Sequence, residues 1–112
     1  MKIYVAGKYE EKRRVRQVQD KLKAAGHAII HDWTREPKTW SRAAVALADR
    51  QAVMDAEAYV GVFEKDLPYK GAFTEMGIAI AKNIPIYILG NAADANIFLD
   101  LPWIKRGIEE LL

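Results

Sequence analysis

The sequence predicts a small, flavodoxin-like doubly wound α/β domain, a parallel sheet of four or five strands with helices on both faces. Three observations carry that expectation. Short apolar runs alternate with longer stretches of helical period. The alternation comes at strand–helix–strand spacing, which implies right-handed crossovers between parallel strands. All four prolines fall between predicted elements or at a strand's start. With 112 residues and 51% hydrophobic content, the chain has the size and composition of one domain, taken as residues 1–112.

Residues 2–6 read as the first strand, with Ile3 and Val5 β-branched and Gly7 ending it. Residues 10–25 give the clearest helix, since Val15, Val18, Leu22 and Ala25 recur at spacings of three and four. Arg13, Arg14, Lys21 and Lys23 lie opposite that stripe, and Gly26 stands where a C-cap belongs. This basic face is expected to be solvated, with Glu10–Arg14 and Arg16–Asp20 at helical pairing distance. Residues 27–31 form a second strand around Ala28-Ile29-Ile30, followed by a polar loop at 32–38. A second helix is expected from about 41 to 56, capped by Ser41 or Thr39. Residues 58–63 are a third strand, and 64–70 a turn-rich loop around Pro68. The third helix, 71–82, is nearly all apolar and therefore expected to be buried. Residues 84–89 are the fourth strand; a turn near 95–100, a last strand at 103–105 and a short helix at 108–112 complete the chain.

Composition removes several classes of function. Seventeen basic against fifteen acidic residues leave a net charge of +2, too balanced for a coat on a nucleic-acid polymer. Cysteine is absent, which excludes disulfides, Cys-ligated zinc, iron–sulfur clusters and thiol nucleophiles. No phosphate-binding glycine motif of the dinucleotide or P-loop type is present. No apolar run approaches the roughly 20 residues of a membrane span. The default expectation is a soluble cytoplasmic protein without a membrane partner.

In open parallel sheets, ligands bind beyond the carboxyl ends of the strands. Residues 7–9, 32–34 and 64–71 and the start of the third helix are therefore the places to look. Glu75 stands out as the lone charge in Gly71-Ala72-Phe73-Thr74-Glu75-Met76-Gly77-Ile78. Either its carboxylate is satisfied by the positive end of the helix dipole, or it is a partly buried nucleophile or base. Asp49 repeats the pattern, with Val45, Ala46, Ala52 and Val53 at helical spacing around it; its alternative is a surface aspartate beside Arg50. Asp55 is expected in solvent or as a cap. Two inward carboxylates on adjacent helices suggest acid/base or nucleophilic work on a sugar-like centre. Tyr4 is either a core tyrosine or a hydroxyl reaching such a carboxylate. Trp33, in His31-Asp32-Trp33-Thr34, either stacks on a flat ligand or covers the core. His31 is a weak candidate, and with only His27 and His31 available no metal site is expected. Lys8, just past Gly7, is placed to meet a phosphate or carboxylate.

These residues together resemble the nucleoside 2-deoxyribosyltransferase family. The resemblance rests on Lys2-Ile3-Tyr4-Val5-Ala6-Gly7, on Asp49 ahead of Ala58-Tyr59-Val60-Gly61-Val62-Phe63, and on Gly71 with Glu75-Met76-Gly77-Ile78-Ala79. It implies that Glu75 is the nucleophile toward C1′ of a deoxyribose and that Asp49 positions the sugar or handles the proton at the leaving base. It further implies that Tyr4 orients the nucleophile, and that Asn96 completes the site of a neighbouring subunit in a homodimer or larger oligomer. Gly71 would let backbone approach the sugar, with Gly7, Lys8, Asp32 and Trp33 as further substrate contacts. Gly61 and Gly77 would serve strand–helix packing. Substrates would be a deoxynucleoside or deoxynucleotide and a nucleobase, with no cofactor. The chain departs from its relatives at Tyr69, where they carry Asp or Ser, and at Lys8, Tyr9 and Glu10, where the related 2′-deoxynucleoside 5′-monophosphate N-glycosidases show Ser and Arg. The expected activity is transfer of deoxyribose between bases. The alternatives are hydrolysis of the monophosphate, a nucleotide-binding module without turnover, or an unrelated regulator whose carboxylates mark a cation site.

Overall fold

The computed structural model describes residues 1–65, 67–92 and 95–112, so the loops expected at 64–70 and after Gly90 fall partly outside it. Five parallel strands, β1 (Lys2–Ala6), β2 (Ala28–Ile29), β3 (Ala58–Val62), β4 (Ile86–Leu89) and β5 (Lys105–Arg106), lie in the order β2-β1-β3-β4-β5. This is the flavodoxin-like order of doubly wound sheets, and it reverses direction between β1 and β3. The helices are α1 (Lys12–Ala24), α2 (Arg42–Asp55) and α3 (Lys70–Lys82).

Strand alternation decides which helix covers which face. Ile3, Val5, Ala58, Val60, Val62 and Tyr87 point to one side and pack with Val15, Val18 and Leu22 of α1 and with Ile108 and Leu111 near the carboxyl end. Tyr4, Ala6, Tyr59, Ile86 and Ile88 point to the other, against Ala52 and Val53 of α2 and Ala72, Met76 and Ala79 of α3. The three inner strands, β1, β3 and β4, are therefore buried on both faces.

Local chemistry sets the helix ends. Ser41, not Thr39, caps α2, its hydroxyl accepting the Ala44 amide at 3.1 Å. Beyond α1 the chain turns through Gly26 at φ 96°, a conformation that glycine adopts without steric cost. The helix expected at 10–25 divides into a 3-10 turn at Tyr9–Glu11 and then α1.

Several expectations change. β2 is two residues long instead of five, because the chain leaves the sheet at His31, whose φ of 49° is left-handed. β4 begins at Ile86, after Pro85, which has no amide to give a ladder. The last strand falls at Lys105–Arg106, and the last helix is a 3-10 turn, Glu109–Leu111. On α1 the cations find partners across the fold: Arg14 Nε donates to Glu64 at 2.6 Å, and Arg16 bonds the hydroxyl and carbonyl of Thr34. α3 is not buried all round; only Ala72, Met76 and Ala79 are, and Gly71, Thr74 and Gly77 are exposed. Asp55 is exposed and accepts from Gln51.

Candidate active site

Three elements bring Tyr4, Asp49 and Glu75 together on the α2/α3 face. Tyr4 lies at the middle of β1, fully enclosed, and its hydroxyl donates to Glu75 Oε2 at 2.8 Å. Glu75 is one turn into α3, whose start is tied to the sheet by the Tyr59 hydroxyl donating to the Ala72 carbonyl at 2.6 Å. Asp49, two turns into α2, is near enough for its charge to raise the hold of Glu75 on a proton. Both carboxyls border a hollow of about 360 Å³, which includes Tyr4, Gly7, Trp33 and Gly71, and a second of about 420 Å³ toward Trp40, Val45 and Ile78. Hollows of that size accept a small organic ligand.

The electrostatics follow from the packing. Burial pushes Glu75 up to about 8; the bond from Tyr4 pulls it down and the Asp49 charge raises it again. Asp49 is pushed up to about 6, by burial first and then by the Glu36 carboxyl beside it, against the pull of His31. Carboxyls this close titrate as a pair, so between those two steps they share one proton. Burial, helped by the Glu75 charge, raises the Tyr4 hydroxyl well above its usual range and keeps it a donor. A carboxylate steered by a phenol, next to a carboxyl that keeps a proton, supplies a nucleophile and an acid in one cleft.

The remaining expected contacts divide. Gly7 borders the hollow, and a Cβ there would meet Val15 Cγ2 at 2.7 Å, so α1 demands glycine. Gly71 also borders it and has open space where a Cβ would stand, the room a ligand needs. Trp33 does two things at once: its indole N–H donates to the Val5 carbonyl at 2.7 Å while it also borders the hollow. Lys8 does not border the carboxylate hollow. It lines a neighbouring one of about 510 Å³ with Lys70, which meets the first along Gly7, Tyr9, Gly71 and Ala72.

Asp32 does not border the carboxylate hollow. Its carboxylate accepts from the Thr34 amide, the Thr34 hydroxyl and Gln19 Nε2, which makes it the cap of the 3-10 turn Trp33–Arg35. Asn96 also caps its own 3-10 turn, Ile97–Asp100, accepting from the Phe98 amide at 2.9 Å. It borders a separate hollow with Phe73, Gly77, Ile80 and Phe98, away from Glu75. Gly61 is closely packed, a Cβ there falling 2.7 Å from the Phe63 ring and 3.0 Å from Ile88, neither of them on a helix, and Gly77 is exposed with nothing within 4 Å. Tyr69 is buried against Phe63 and Phe73, and its hydroxyl donates to Glu11 at 2.8 Å.

Two residues at the site escape a reading by periodicity. Glu36 lies in an irregular loop, and the left-handed turn at His31 brings the two together: His31 Nε2 is 2.6 Å from Glu36 Oε2 and 3.1 Å from Asp49 Oδ1. The imidazole stacks nearly parallel to Trp40, ring centres 6.1 Å apart. One donor atom from each of His31, Glu36 and Asp49 falls within 4.8 Å of the others, close enough to surround a cation. The imidazole nitrogen is already engaged by both carboxyls, so the group is a hydrogen-bonded cluster in this structure.

The fold and this cleft define a doubly wound α/β protein with paired carboxyls beyond the carboxyl ends of its strands. No family model matches the chain, and no curated protein matches it. Among solved structures, the crystal structure of a conserved protein from Enterococcus faecalis V583 is similar, with a TM-score of 0.68 at 21% identity. The match covers 83% of this chain and 65% of that one, and it shows a shared fold. Among the described residues, no helix is long and apolar enough to cross a membrane.

Proposed function

We propose that this protein cleaves the N-glycosidic bond of 2′-deoxynucleosides through a covalent deoxyribosyl ester on Glu75 and transfers the sugar to another nucleobase. The observation that carries this reading is that Tyr4, hydrogen-bonded to Glu75, borders one open hollow together with Glu75 and Asp49. The Glu75 carboxylate, steadied by Tyr4, attacks C1′ while Asp49 gives its proton to the departing base. An incoming base then takes the sugar from Glu75 and returns a proton to Asp49. Asn96 acts on a neighbouring copy in this reading, which agrees with its lying away from Glu75 beside the exposed Ile97 and Phe98.

The hollow with Lys8 and Lys70 favours a second reading, in which the substrate carries a 5′-phosphate and water is the acceptor. It borders the first turn of α3, where the positive end of the helix dipole suits an anion. The test is incubation with deoxynucleosides or their monophosphates, with and without a second free base, followed by chromatography and by mass spectrometry for a deoxyribosylated Glu75. A new deoxynucleoside supports transfer, and free deoxyribose phosphate supports hydrolysis. Thermal stabilisation by the nucleotide without any product would replace both with a binding module.

A further inference from the structure

Glu36, Asp49 and Glu75 place three carboxyls around one cleft, and the side chains of Glu36 and Asp49 are only 13% and 19% exposed. Carboxylates held so far from water need cations beside them. Lys38, Arg42 and Arg50 border the same hollows, yet among the described residues no lysine or arginine forms an ion pair with any of the three. The basic group in contact is the His31 imidazole, whose Nε2 meets both Glu36 and Asp49. Acidic groups thus outnumber basic ones where these donors converge.

The geometry suits a metal ion as well as a proton. His31 comes from the turn after β2, Glu36 from the following loop and Asp49 from α2, so three segments each bring one donor atom to a common point. Ligands about 2.0–2.2 Å from a cation stand roughly 3 Å from one another, so contacts of 2.6 and 3.1 Å need little adjustment. Stacking on Trp40, with the ring planes 5° apart, holds the imidazole in its direction. Glu36 and Asp49 both border the hollow of about 360 Å³, into which a further coordination position would open. One nitrogen with two carboxylate oxygens selects a borderline cation such as Zn²⁺, whereas Mg²⁺ and Ca²⁺ call for oxygen ligands.

We propose that His31, Glu36 and Asp49 form a binding site for a borderline divalent cation, of which Zn²⁺ is the type. The cation displaces the proton at His31 Nε2, which passes to Nδ1 or to solvent. The site goes beyond the deoxyribosyl-transfer reading and bears on it. Asp49 cannot both ligate a cation and hand a proton to a departing base, so occupancy stops that turnover.

The test is isothermal titration calorimetry of the chelator-treated full chain with zinc chloride at neutral pH, with no deoxynucleoside present. One Zn²⁺ per chain is expected, with Mg²⁺ bound at least about 100-fold more weakly. His31→Gln and Glu36→Gln should each weaken Zn²⁺ by at least about 10- to 100-fold, while His27→Gln, which removes the other histidine, leaves it unchanged. Circular dichroism shows which variants fold, and Glu36→Gln decides if His31→Gln does not. X-ray absorption of the Zn²⁺-loaded chain should show one imidazole nitrogen among oxygen donors. No Zn²⁺ binding, binding indifferent to His31 and Glu36, or binding lost in His27→Gln overturns the proposal. So does Mg²⁺ that binds as tightly as Zn²⁺. Zn²⁺ bound as expected by a protein without turnover on any deoxynucleoside or deoxynucleotide leaves the cation site standing and removes the reaction.

Discussion

The two faces of the sheet are built to different rules. Against α1, β1 and β3 present Ile3, Val5, Val60 and Val62 to Val15, Val18 and Leu22, and these side chains have no polar atoms to satisfy. Against α2 and α3, the same two strands present Tyr4 and Tyr59, whose hydroxyls serve a carboxylate and a helix carbonyl. One face closes and holds the domain together. The other stays open between its helices and gathers groups that packing alone would disfavour, which is where chemistry is to be sought.

That contrast can be broken by substitution on either side. The largest effect is expected from Glu75→Gln, which should reduce deoxyribosyl transfer about 10⁴-fold or more in a product assay while the protein stays folded by circular dichroism. Leu22→Ala, on the closed face and fully buried, should cost about 2–5 kcal/mol in denaturant unfolding and leave KM unchanged under conditions where the protein remains folded. Tyr4→Phe keeps the ring packing and loses only the donated bond, so turnover should fall about 10- to 100-fold with little change in Tm.

Protonation sharpens the contrast further. An unfolded chain releases the Glu75 proton near 4.5, whereas the folded chain keeps it toward about 8. The folded state binds more protons in that window, so stability is full below it, falls as pH rises through it and is level above. Thermal unfolding from pH 4 to 9 should show this decline, and Glu75→Gln should flatten it and raise Tm at pH 8. A decline unchanged in the variant would place its origin elsewhere. The smallest effect is expected from Asp32→Ala, which removes a cap worth about 1 kcal/mol and should leave kcat/KM nearly untouched.

Much of this was legible in the residues. The stripe Val15–Val18–Leu22 locates α1, and the isolation of Glu75 and Asp49 among apolar neighbours marks both side chains that meet in the cleft. Periodicity is a property of regular elements, and it succeeded where elements are regular. Asp32 shows the limit: an aspartate after a strand reads equally as a ligand contact or a turn cap, and only the Thr34 and Gln19 partners decide. Glu36 shows a second limit, because its approach to Asp49 depends on one left-handed residue, which no hydrophobic pattern signals. The outer face of α3 shows a third. Its apolar composition suggested burial all round, whereas a helix lying on one face of a sheet turns its far side to solvent.

The sheet ends on either flank in a strand of two residues, and one of these, β5, is Lys105–Arg106. So little exposed ladder, charged on one flank, gives another chain almost nothing to pair with, which guards against strand-by-strand polymerisation. Copies of this protein that associate must therefore meet through helices and loops, where Leu47, Ile97 and Phe98 stand exposed, and not along the rim of the sheet.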